Sequence, residues 1–99
     1  YDIGKPAQLY ARATIKNFTD TPVDEDYIKQ QLALITYEIQ QRAESADVSA
    51  AIKEALGDSG TPYNVEISTD NSSWVDYAIP EGLDEYFVIS PDNITLTVV

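Results

Sequence analysis

The chain has no cysteine and no histidine among its 99 residues. Without cysteine there are no disulfides, no thiolate metal ligands and no thiol nucleophile, a composition that fits a reducing compartment without establishing one. Without histidine the commonest general base, the commonest zinc ligand and any Ser-His-Asp triad are gone. Glycine is scarce too: the four glycines are isolated, so no glycine-rich phosphate loop exists. Positive charge is short, with six Lys and Arg against seventeen Asp and Glu and a net charge of −11. That balance argues against binding a phosphate backbone and disfavours anionic membranes. It favours solubility, basic protein partners, cations or a high-salt habitat, and an acidic solvated surface explains it without any ligand. No apolar run approaches a membrane span, and none has the layout of a signal peptide. The expectations are therefore no nucleic acid, no membrane, no cofactor and no metal.

What is present is ordinary folding material. The apolar fraction of 43% suits one domain with one modest core. The longest run with one period is Thr21 to Arg42. Ile28, Leu32, Ile35 and Ile39 mark one helical face, and Tyr27, Leu34 and Tyr37 widen it. Thr21 is the expected N-cap, Pro22 suits the first helical position, and Asp24 stands where a capping-box acid would sit. Asp24, Glu25 and Asp26 lie over the positive end of the helix dipole, worth about 0.3–1 kcal/mol each. That explains the triplet without a cation.

Before this helix, Gln8 to Phe18 alternates, with Leu9, Ala11, Ala13 and Ile15 on one side of a half-buried strand. After it, Ser45 or Asp47 can cap a second helix whose face is Val48, Ala51, Ile52, Ala55 and Leu56, with Gly57 as its C-cap. One long bent helix is the alternative. The remainder reads as strands: Tyr63 to Thr69, a return strand over Trp74 to Ile79, Asp84 to Ser90, and Ile94 to Val99 after a tight turn at Pro91-Asp92-Asn93. The predicted fold class is α+β, a small mixed or antiparallel sheet packed against two helices in the order β-α-α-β-β-β-β, forming a single domain over residues 1–99. The start at Tyr1 and the apolar run ending at Val99 point to a piece of a longer protein, a C-terminal domain.

Carboxylates are plentiful, which dilutes any pairing signal. Asp70 and Asp76 bracket a turn, but acid/base work needs two carboxyls in different environments, and a small carboxylate hydrolase is only the third choice. Asn17, Asn71 and Asn93 head Asn-X-Ser/Thr sequons, all in or beside turns where these residues are favoured for backbone reasons. Tyr10, Tyr37, Trp74, Tyr77 and Tyr86 are candidate interface residues on composition, although aromatics also serve as half-buried sheet residues.

The whole order resembles the C-terminal region of baseplate J-like and wedge proteins of contractile-tailed phages. The residues that carry the likeness are the strand Leu9-Tyr-Ala-Arg-Ala-Thr-Ile-Lys16, the proline-containing turn Thr21-Pro22 and the short helix Asp47 to Leu56. The strand Asn64-Val-Glu-Ile67, the segment from Ile79-Pro80-Glu-Gly82 to Val88 and the terminal Ile94-Thr-Leu-Thr-Val-Val99 complete it. The family is glycine- and valine-rich where this chain has Gly57-Asp-Ser-Gly60-Thr-Pro-Tyr63. The resemblance implies a non-enzymatic structural part of a phage tail, located in the virion, that packs against copies of itself and other baseplate proteins. The alternative is a secreted or surface-exposed binding module for glycan or protein. The stretch Val65 to Tyr77 looks superficially like a hairpin of discoidin-type domains, which are all-β, whereas this chain carries helices.

Overall fold

Alternation builds the central strand. In β1 (Lys5–Asn17) Leu9, Ala11, Ala13 and Ile15 are buried, and Tyr10, Arg12 and Thr14 occupy the opposite face. The computed structural model describes residues 4–99. Around β1 the chain makes two helices, α1 (Glu25–Ala33) and α2 (Ser45–Leu56), and four further strands. These are β2 (Ala43–Glu44), β3 (Gly60–Ser68), β4 (Tyr77–Ala78) and β5 (Glu85–Val98). The fold class is α+β, with a sheet covered by two helices.

The main sheet has the order β3-β1-β5. β3 runs antiparallel to β1, and β5 runs parallel to it. Both helices cover one face of this sheet, α1 over β5 and α2 over β3. The small side chains of Ala11 and Ala13 let that layer approach closely. Ile28, Leu32, Val48, Ile52, Ile67 and Phe87 complete the core and are at most 2% exposed. Each such side chain contributes about 1.5–3 kcal/mol by burial. The three ion pairs found among the described residues are partly exposed and worth about 0–1 kcal/mol each, so burial decides the stability. The molecule measures 51 × 25 × 19 Å, its length following from strands of 13 and 14 residues.

Four expectations about the elements need correction. The first helix does not run from Thr21 to Arg42. It starts after Asp24, whose carboxylate accepts the Tyr27 N–H at 3.1 Å, and it stops at Leu34. Ile35 and Ile39 therefore lie beyond the helix. The segment after it turns back through Gln40, at φ 62°, into β2. The N-cap of α2 is Glu44, not Ser45 or Asp47; Asp47 instead reaches back to accept the Glu44 N–H at 3.1 Å. The return strand over Trp74 to Ile79 is also shorter than expected. Only Val75 bridges to Ile67, while Tyr77 and Ala78 pair with Glu44 and Ala43 in a separate two-stranded sheet.

The fourth correction concerns Pro91-Asp92-Asn93, which does not reverse the chain. Leu9 pairs with Ile89 and Ala11 with Ile94, so the extra residues bulge out of one continuous strand. Asn93 anchors the bulge by donating its amide to Gln8 Oε1 at 2.9 Å.

Candidate functional site

Two loops meet at one end of the molecule. Residues 35–42 follow α1, and residues 69–84 join β3 to β5. The short β2–β4 pairing ties them together, and the Ser45 N–H donates to the Asp76 carbonyl at 2.7 Å. Gln40 supplies the clasp. Its side-chain amide donates to the carbonyls of Pro80 and Gly82, and its backbone N–H donates to the Glu85 carbonyl at 2.9 Å. The left-handed backbone at Gln40 is uncommon for a residue with a Cβ, and these three bonds hold it there.

The knitted loops leave large apolar side chains in solvent. Leu83 is 88% exposed, Tyr77 55%, Ile79 52% and Ile39 45%. Tyr77 is braced rather than free, with the Arg42 guanidinium 4.1 Å from its ring centre and Arg42 paired to Glu44 at 3.1 Å. Rigid exposed apolar groups of this kind mark contact surfaces. Of the five aromatic interface candidates Tyr77 belongs here and Tyr86 borders it; Ile39, Ile79 and Leu83 were not interface candidates. The available signal was Leu83 itself, a leucine inside the breaker-rich Pro80-Glu81-Gly82 and Asp84 turn with no periodic partner.

Three of the other four aromatic candidates go elsewhere. Tyr37 is a core residue, 8% exposed, packed edge-on against Phe87 with ring centres 6.4 Å apart. It cannot serve as a contact residue of the folded chain. Its hydroxyl donates to Asp47 Oδ2 at 3.0 Å. Burial of the ring, then the nearby Asp47 and Glu44 carboxylates, push this phenol well above the ordinary tyrosine range. Tyr10 is half-buried on the open face of the sheet. Trp74 is half-buried with the Arg12 guanidinium 4.2 Å from its ring, and Arg12 donates to Glu66 Oε1 at 2.8 and 3.2 Å. Tyr86 is half-buried beside Gly4, where a Cβ would stand 3.0 Å from its ring and 3.1 Å from Ile39, so it borders the exposed apolar end. The five residues therefore do not form one site.

Some of the acidic groups are engaged within the chain. Asp24 caps α1. Asp70 Oδ1 accepts the N–H groups of Ser72 and Ser73 and the Ser68 hydroxyl, each at 2.9 Å. The Ser73 and Ser72 N–H groups, then Ser68, hold this carboxyl well below the usual carboxylate range, so it stays an anion. Among the described residues no cluster of three or more carboxylates is placed to hold a metal ion. Two of the three sequon amides are also engaged: Asn17 Nδ2 donates to the Thr21 carbonyl at 2.9 Å, and Asn93 binds Gln8. Neither a protein-family model nor a curated protein matches this chain.

Proposed function

We propose that this chain is a non-enzymatic assembly domain of a contractile phage tail baseplate. In this reading it holds neighbouring baseplate proteins through the end that carries Ile39, Tyr77, Ile79 and Leu83. The supporting observation is that patch: four large apolar side chains exposed on loops that β2–β4 pairing and the Gln40 clasp keep rigid. A rigid patch loses little side-chain and loop freedom on docking, which favours binding. The baseplate assignment rests on the likeness in strand, helix and turn order set out above. Acidic surroundings, in a chain of net charge −11, suit neighbours with basic rims.

The test is co-sedimentation with baseplate wedges purified from a contractile-tailed phage, comparing wild type with Ile79→Ser/Leu83→Ser. Both side chains are more than half exposed, so the variant should fold as wild type does while losing most of its binding. Wild-type protein that never sediments with the wedges would sink the baseplate reading. Unchanged binding by the variant would move the contact to another surface.

A further inference from the structure

Among the described residues, the outer edge of β5 from Ile94 to Val98 stands open. Val99 donates its N–H to Ile15 and accepts the N–H of Asn17, so both of its backbone groups face β1. Strand alternation then turns the backbone groups of Ile94, Leu96 and Val98 away from β1. Among the described residues the backbone partners of that edge outside β1 lie at Glu85, whose carbonyl accepts the Gln40 N–H and whose N–H donates to the Gly82 carbonyl, far from Ile94. The opposite edge of the sheet is treated differently. On β3, Ile67 exchanges both hydrogen bonds with Val75, Asn64 sits at φ 52°, and Pro62 lacks an N–H. Such devices block strand addition. On β5 the bulge at Pro91-Asp92-Asn93 interrupts the edge before Ile94, and among the described residues no such device falls within Ile94 to Val99.

From Ile94 to Val99 the strand also carries no charged side chain, in a chain of net charge −11. A basic strand would find no carboxylate in it to pair with. A second copy, laid antiparallel, would bring Ile, Thr, Leu and Val against the same residues with no carboxylates opposed. Most other surfaces of so acidic a chain would set like charges against like. Val98 and Val99, 38% and 64% exposed, are apolar surface that such pairing can cover.

We propose that two copies of this chain pair antiparallel through the outer edge of β5. The result is one continuous six-stranded sheet in the order β3-β1-β5-β5-β1-β3, closed by a two-fold axis near Leu96. About six backbone hydrogen bonds form across the axis. This deepens the assembly reading by naming a second copy as partner at a surface remote from the Leu83 patch. The two protomers repel through their net charge, so added salt strengthens the dimer.

Sedimentation equilibrium of the full chain, from about 1 μM to about 1 mM, reads the association directly. The expected result is a monomer–dimer equilibrium that tightens severalfold between about 0.05 and 0.5 M salt. Amide exchange at Ile94, Leu96 and Val98 should slow as concentration rises. Thr95→Glu/Thr97→Glu changes two exposed side chains and puts carboxylates on the axis, and should weaken the dimer at least about tenfold. Val98→Pro removes an outward N–H and should do the same; circular dichroism checks that both variants stay folded. A wild-type monomer at about 1 mM, or a dimer that leaves those amides unprotected, overturns edge pairing. Either result leaves co-sedimentation with wedges free to succeed or fail by itself.

Discussion

The Tyr37 hydroxyl offers a prediction whose size and pH dependence both follow from geometry. Tyr37→Phe keeps the buried ring against Phe87 and deletes only the 3.0 Å bond to Asp47. Hydrogen bonds to charged groups contribute about 1.5–3 kcal/mol. Asp47 is half-buried and keeps the Glu44 N–H, so the loss should fall at the lower end, about 1–2 kcal/mol. For a domain of this size that lowers Tm by roughly 5–15 °C. The pH dependence has a definite sign. In the unfolded chain Tyr37 ionises near pH 10, whereas in the folded chain its pKa is raised and the phenol keeps its proton. The contribution of this raised group is complete below about pH 10 and is lost as pH rises further, by up to about 1.4 kcal/mol per unit. Phenylalanine has nothing to lose, so the gap between wild type and variant should close above about pH 10. Urea unfolding, followed by Trp74 fluorescence at about pH 8 and about pH 11, measures both quantities. Equal midpoints at the lower pH, or a gap that persists undiminished at the higher one, would refute the reasoning.

Two further perturbations probe the backbone. Gly60→Ala would place Cβ 2.5 Å from the Lys16 carbonyl oxygen across the β1–β3 pairing, and the strand can yield only by distorting. We expect a loss of about 1–3 kcal/mol, seen as a lower urea midpoint at unchanged slope; an unshifted midpoint rules the clash out. Asp70→Ala strips the acceptor from Ser72 and Ser73, so their amides should exchange faster by NMR. In wild type, with the carboxyl pKa depressed, this protection is present above the ordinary carboxylate range and lost only as pH falls through the folded value. Exchange rates indifferent to the substitution would mean the turn holds itself.

Legibility in the sequence tracked how local the deciding interaction was. The alternation Leu9, Ala11, Ala13, Ile15 described the buried face of β1, because a strand's faces depend only on period. Val48, Ile52 and Leu56 likewise gave the buried face of α2, and Gly57 caps it at φ 59°. The first helix failed beyond Leu34. Ile35 and Ile39 continue the helical spacing, but Ile35, Thr36 and Ile39 are β-branched and weak helix formers. What decides that segment is tertiary: Tyr37 enters the core toward Phe87 and Asp47, and Gln40 binds carbonyls forty or more positions away. At Pro91-Asp92-Asn93 the turn chemistry was real, yet residues on β1 keep the strand on course past it. The apolar end around Leu83 was illegible for a related reason. Whether a leucine in a turn is covered depends on which loop folds over it, and no local pattern records that.

The position of β1 also sets a schedule for folding. Of the strands described, β1 comes first in the chain and its parallel neighbour β5 comes last. Lys5 pairs with Glu85 and Ile15 with Val98, so this side of the sheet spans about eighty residues at every rung. While the chain is being synthesised, β1, both helices and β3 can gather with one flank of the central strand bare. That flank closes only when Ile94 to Val98 leaves the ribosome. The same uncharged residues that finish the sheet thus arrive after the rest of it, and a ribosome stalled before them would hold out a bare strand edge open to pairing with other chains.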